Sequence, residues 1–170
     1  AISPLAAPLD PDYSEVDFEY LPNGGWGENS DSAMWTTTWE TFQLEPWTKV
    51  NEFSRVPGDY SGWHTLVMNV SSDYVDGNLV GDYTNAVAPE VPMSMNFNLW
   101  FMPKGADGSV GPIDSNESRQ YQQDIDWVLH VENAELTTSE VEAKVAALRA
   151  SEQRHIDQVP DKGLAPYCGL

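Results

Sequence analysis

An all-β fold, two layers of strands with one helix near the C-terminal end, is what the sequence predicts. Three observations predict it. Apolar and polar residues alternate at period two in stretches 14–21, 33–42, 62–70, 93–102 and 121–131, the repeat of a half-buried strand. Asp76-Gly77 lies between two short runs of strand-forming residues, the signature of a tight hairpin. Only the stretch 137–151 has a helical repeat, with Val141, Val145 and Leu148 at i, i+4 and i+7. Thr137 and Glu140 stand at capping-box spacing at its start.

The chain of 170 residues is long enough for one domain with a real core. Hydrophobic residues at 41%, with seven Trp, exclude wholesale disorder. Residues 1–12 carry three prolines and no period, so they read as an extended arm. Residues 13–132 hold the strands, 137–151 the helix, and 152–170 a surface tail with Pro160 and Pro166.

The first predicted strand is the one that carries chemistry. In Ser14-Glu15-Val16-Asp17-Phe18-Glu19-Tyr20, three acids alternate with apolar residues. On a strand, Glu15, Asp17 and Glu19 share one face, and Val16 and Phe18 the other. Gathering three carboxylates is costly, and apolar residues behind them offset the cost by anchoring the strand. A solvated edge strand is the plain alternative. Two carboxyl groups flanking a sugar bond are the minimum equipment for glycoside hydrolysis, one ionised to attack and one protonated for the leaving oxygen. Close like charges push one pKa up and keep one proton in place near neutral pH. Residues i and i+4 on a flat strand lie roughly 13 Å apart at Cα, whereas a retaining pair needs carboxyls about 5–5.5 Å apart. Long Glu side chains on a concave sheet are suited to closing that gap.

Aromatic and amide residues follow in places that suit a sugar. Trp26 sits among glycines in Gly24-Gly25-Trp26-Gly27, either as a sugar platform or as a loop anchor. In the second strand, 33–42, Trp35, Thr37 and Trp39 share one parity, so two rings form either a stacking platform or sandwich core. The stretch 43–61 reads as a long connection. In 62–70, His64 is a possible catalytic helper, though a single strand His is more often a packing or hydrogen-bonding residue. In 93–102, Asn96, Asn98 and Trp100 share a face opposite Met95, Phe97 and Leu99. Amides bond sugar hydroxyls and a Trp ring stacks on a pyranose, so that face suits a cleft. Asp126 in the last strand is weak evidence for a metal or sugar contact.

These residues resemble a known family. Glu15-Val16-Asp17-Phe18-Glu19 is similar to the E-x-D-x-E signature of glycoside hydrolase family 16, the laminarinase, lichenase and xyloglucan-transglycosylase group. Gly62-Trp63-His64-Thr65-Leu66, Met95 to Phe101 and Tyr121 to Val128 resemble its C-terminal half, in the same order. The resemblance implies a two-sheet jelly roll of the concanavalin type with the motif strand on the concave sheet. It implies Glu15 as nucleophile, Asp17 as assisting acid and Glu19 as general acid/base. In that family the motif lies near mid-chain, whereas here it begins at Glu15. The expectation is therefore the C-terminal portion of a larger or two-chain jelly roll.

Charge and cysteine content set the partners. Net charge is −19, from 27 acids against 8 Lys and Arg, which repels nucleic acid and anionic membranes. No apolar run is long enough to span a bilayer, and any signal peptide is expected to have been removed. Asn69-Val70-Ser71 and Asn116-Glu117-Ser118 match the glycosylation triplet. Cys168 is the only cysteine, so a disulfide would have to reach another chain, such as an N-terminal partner. No metal or cofactor motif appears. The sequence thus points to a secreted retaining endo-glycoside hydrolase on a β-glucan-like polysaccharide. The alternatives are a lectin-like binding protein, a non-catalytic chain of a two-chain complex, and a transglycosylase.

Overall fold

A computed structural model describes residues 13–22, 31–43, 47–91, 93–99, 120–158 and 160. It is mostly β, with two antiparallel three-stranded sheets and one helix. The first sheet is ordered β1 (Glu15–Leu21), β2 (Ala33–Gln43), β3 (Thr48–Pro57). The second is ordered β4 (Leu66–Asn69), β5 (Ser72–Val75), β6 (Asn78–Asp82). A short 3-10 turn, Asn85–Val87, follows, and α1 is Thr138–Ala150.

Period two decides the packing. Val16, Phe18 and Tyr20 of β1 pair with Thr38, Thr36 and Met34 of β2, so these six share one face. That face meets the second sheet. Met34, Val75 and Val80 form the buried cluster, with Phe18, Tyr20, Val56 and Tyr60 packed against it. The acids therefore face away from the core, as the alternation in β1 requires.

The core is partly polar. Thr36, Thr38 and Asp73 are each 1% exposed. The Tyr83 hydroxyl donates to Thr36 Oγ1 across the layers. Gly81 is required at this crossing, because a Cβ there would fall 2.7 Å from Thr36 Oγ1 and closer still to the Tyr83 hydroxyl. Gly81→Ala is expected to destabilise by about 1–3 kcal/mol through overpacking, read as a lower urea midpoint at unchanged m value.

The hairpin and the helix form where their signatures lie. Asp76 and Gly77 have φ of 49° and 79° between β5 and β6, the left-handed pair that a two-residue hairpin turn needs. Thr137 and Glu140 make the full capping box. α1 lies against β4, where Val67 and Val141 are both buried. Val145 and Leu148 complete its half-buried stripe.

Several expectations are corrected. Residues 48–57, read as part of a connection, form β3. The third expected strand, 62–70, shrinks to Leu66–Asn69. Residues 93–99 and 121–131 join neither sheet among the described residues. A strand needs a partner edge, and without one their apolar side chains stay exposed, Met95 at 58% and Ile125 at 47%. Asp126 pairs with Arg149 of α1 at 2.5 Å. Asn69 is a bracket for the helix entry: its Nδ2 donates to Leu136 O, and Leu136 N donates to its Oδ1, both at 3.4 Å. Asn116, Cys168, the arm 1–12 and most of the tail lie outside the described residues.

Candidate active site

The pairing of β1 with its neighbours sets what the acids face. The β1–β2 register sets Glu15 opposite Trp39, Asp17 opposite Thr37 and Glu19 opposite Trp35. The β2–β3 register then sets Trp39 opposite Asn51, Thr37 opposite Phe53 and Trp35 opposite Arg55. Paired residues share a face. One face of the sheet thus runs from a carboxylate strand, across an aromatic strand, to a strand with Asn51, Phe53 and Arg55. Glu15, Asp17 and Glu19 are all half-buried.

A β-bulge enlarges the aromatic strand. The register of β2 against β3 shifts between Trp39 and Thr41, so Phe42 comes opposite Lys49. Lys49 has the parity of Asn51, and Phe42 is therefore turned onto the acid face. There it meets Trp39 edge-on, with ring centroids 5.7 Å apart. Tyr13 and Trp47 flank it, at 6.4 and 5.6 Å. The Tyr13 hydroxyl donates to Glu15 Oε2, tying the aromatic row to the first acid.

Electrostatics centre on Asp17. Burial raises its pKa most, then the charges of Glu15 and Glu19, to about 7. Trp39 Nε1 donates to Asp17 Oδ2 at 3.1 Å and opposes the shift. Near neutral pH the middle acid thus holds a proton for much of the time between two outer carboxyls. Behind the sheet, Asp73 is also pushed up to about 7, chiefly by burial. The Tyr83 hydroxyl lies close enough to temper that rise, yet neither Asp73 oxygen has a partner in hydrogen-bond geometry among the described residues. Burial raises Tyr83 itself to about 12.

The predicted site residues divide as follows. Glu15, Asp17, Glu19, Trp35 and Trp39 are brought together on one face. Trp35 is only 8% exposed. The Phe53 ring lies 5.4 Å from it, and the Arg55 guanidinium sits over it at 5.9 Å. The ring presented at that position is Phe53, 58% exposed. Trp47, 61% exposed, extends the row at the other end. Asn96 and Asn98 are not part of the sheet that holds the acids, and the Asn96 amide bonds Ser94 within its own segment. Trp26 and Trp100 lie outside the described residues. His64 belongs elsewhere: Nδ1 meets Asp76 Oδ2 at 2.6 Å at the β5–β6 hairpin, which raises the imidazole pKa. Lys49 and Arg55 were missed, and Trp47 and Phe53 left without a role, because 43–61 read as a connection; Phe42 was missed because unbroken parity sets it off the acid face. Reading 48–57 as a strand would have aligned Lys49, Asn51, Phe53 and Arg55.

The described residues hold no cluster of three or more His, Cys, Asp or Glu able to grip a metal ion. A cavity of about 570 Å³ lies between the second sheet and the start of α1, bordered by Tyr74, Asp76 and Thr138. It is separate from the acid face, where three carboxyls lie beside rings set edge to face. No family model, no curated protein and no solved structure matches the chain.

Proposed function

We propose that the chain is a secreted, retaining endo-glycoside hydrolase acting on a β-glucan-like polysaccharide, with a jelly-roll fold of the concanavalin type. The observation that carries the reading is the common face of Glu15, Asp17 and Glu19 beside Trp39, Phe42, Phe53 and Trp47. Rings of this kind stack on pyranose faces and present the sugar chain edge-on to the acids.

In the first step the Glu15 carboxylate attacks the anomeric carbon. Glu19 gives its proton to the departing glycosidic oxygen, and a glycosyl ester forms on Glu15. In the second, Glu19 takes a proton from water, which attacks the same carbon and frees Glu15. Asp17 sets the charge balance. Its pKa is raised partly by Glu15, so esterification of Glu15 removes one of those charges and makes Asp17 more acidic. The middle proton is thereby held when Glu15 is charged and loosened when it is not.

The test is incubation with laminarin, lichenan, agarose and xyloglucan, followed by assay of new reducing ends. Release from at least one polymer by the parent chain, and none by Glu15→Gln, is the expected result. Undiminished release by Glu15→Gln would refute the assignment. Binding without product would favour a lectin, and transfer to a sugar acceptor without net hydrolysis a transglycosylase.

A further inference from the structure

The third strand of the acid-bearing sheet holds two cations on the substrate side. Lys49 Nζ stands over the Trp39 ring at 5.7 Å, and the Arg55 guanidinium over the Trp35 ring at 5.9 Å. Asn51 and Phe53 lie between them on the same face. The chain has only 8 Lys and Arg against 27 acids, and two of them lie along one side of the aromatic row. A neutral polysaccharide gains little from such a pair, since hydroxyls are bound as well by amides.

We infer that the site selects a polysaccharide bearing anionic substituents, which Lys49 and Arg55 receive beyond the aromatic row on the side away from the acids. This deepens the glycoside-hydrolase reading and rests on it. The two cations differ in access. Among the described residues Lys49 makes no ion pair, only its contact with Trp39. The Arg55 side chain is 18% exposed and Asp31 holds it, by the carboxylate at 2.7 Å and the carbonyl at 3.4 Å, so an incoming anion reaches this guanidinium by displacing the 62%-exposed Asp31 carboxylate. The guanidinium presents a planar fork suited to sulfate or carboxylate, and Lys49 a point charge.

The three acids do not cancel this preference. β1 and β3 are separated by β2, hence by two strand spacings, about 10 Å. That is about one screening length at physiological ionic strength. A substituent over β3 therefore feels Lys49 and Arg55 at contact and the carboxylates only through screening. The general charge of −19 slows approach of a polyanion at low salt and is screened in the same way.

The test uses Glu15→Gln, so that binding is read without turnover, against laminarin, carboxymethylated laminarin and sulfated laminarin. Expected is about 3- to 10-fold tighter binding of at least one charged polymer over the neutral one at moderate salt, with the ratio falling towards one near 500 mM salt. Tighter binding of the sulfated polymer alone would assign sulfate as the substituent, and of the carboxymethylated polymer alone, carboxylate. Lys49→Gln is expected to reduce that ratio, and Arg55→Lys to reduce it less than Arg55→Gln. Because the ratio and its salt dependence are read on one protein, they stand even if an Arg55 variant folds poorly. Equal or weaker binding of both charged polymers would overturn the inference. So would a preference that survives Lys49→Gln and Arg55→Gln together. If the parent chain cuts laminarin without any charge preference, this inference falls and the glycosidase reading stands. If no polymer is bound or cut, both fall.

Discussion

Glu19→Gln is expected to lower turnover by about 10²- to 10⁴-fold, the range for loss of a general acid/base, while the urea midpoint hardly moves. The amide keeps the shape of the carboxylic acid, and Glu19 is half-buried at a sheet face rather than in the core. Glu15→Gln is expected to be more severe, since it removes the attacking atom and with it the intermediate. It also carries a readout that does not depend on turnover. Burial is the first cause of the raised Asp17 pKa and Glu15 the second. Removing the Glu15 charge should therefore move the Asp17 titration downward from about 7, as followed by the carboxyl carbon resonance. A downward shift together with lost turnover links the three acids as one unit. An unchanged titration would show that Glu15 and Asp17 do not face each other.

Asp73→Asn is expected to stabilise the fold above neutral pH. The carboxyl is 1% exposed, and its pKa is raised by burial from 3.8 to about 7. The unfolded chain ionises this acid above its ordinary pKa, while the folded chain keeps it protonated until near 7. A raised folded pKa means that stability is fully present below the unfolded value and is lost as pH climbs through the folded one. Each pKa unit is worth about 1.4 kcal/mol, so the loss is at most about 4 kcal/mol for this group. Asn keeps the shape without the charge. The variant should match the parent near pH 4 and exceed it at pH 8, with the gap opening between those limits. Asp17, raised for a similar reason, contributes a slope in the same window that should persist in the variant. Urea unfolding at several pH values checks both. A variant less stable than the parent at pH 8 would mean that the Asp73 charge is wanted in the core.

The parts of the fold legible in the sequence were those with one clean signal. Glu15 to Tyr20 alternates without interruption because one face is core and the other carries the acids. Asp76-Gly77 was readable because left-handed backbone admits few residues. Thr137 and Glu140 were readable because a capping box fixes their spacing. β3 was hidden because it is an edge strand with polar residues on both faces: Lys49, Asn51 and Arg55 on one, Glu52 and Ser54 on the other. Stretches 93–99 and 121–131 show the reverse error. Alternation there was read as pairing, but pairing depends on a neighbouring edge that period two does not encode.

The site was legible in the same unequal way. The three acids and Trp39 follow from parity alone. Phe42 could not, since unbroken parity places it opposite Trp39, and only the bulge before Thr41 turns it. Trp35 has the predicted parity, yet Phe53 and Arg55 cover it, a consequence of a strand that had not been recognised. Asn69 has a place in the fold that its triplet does not show: its side chain holds Leu136 at the helix entry.

The central claim is that Glu15 bonds covalently to the sugar while Glu19 serves as acid and base. It is tested most directly by treating the chain with a 2-deoxy-2-fluoro-β-glucan oligosaccharyl fluoride, which slows release of the intermediate, and mapping the adduct by peptide mass spectrometry. The account predicts a single adduct, on Glu15. An adduct on Glu19, or product of inverted anomeric configuration with no adduct at all, would contradict it.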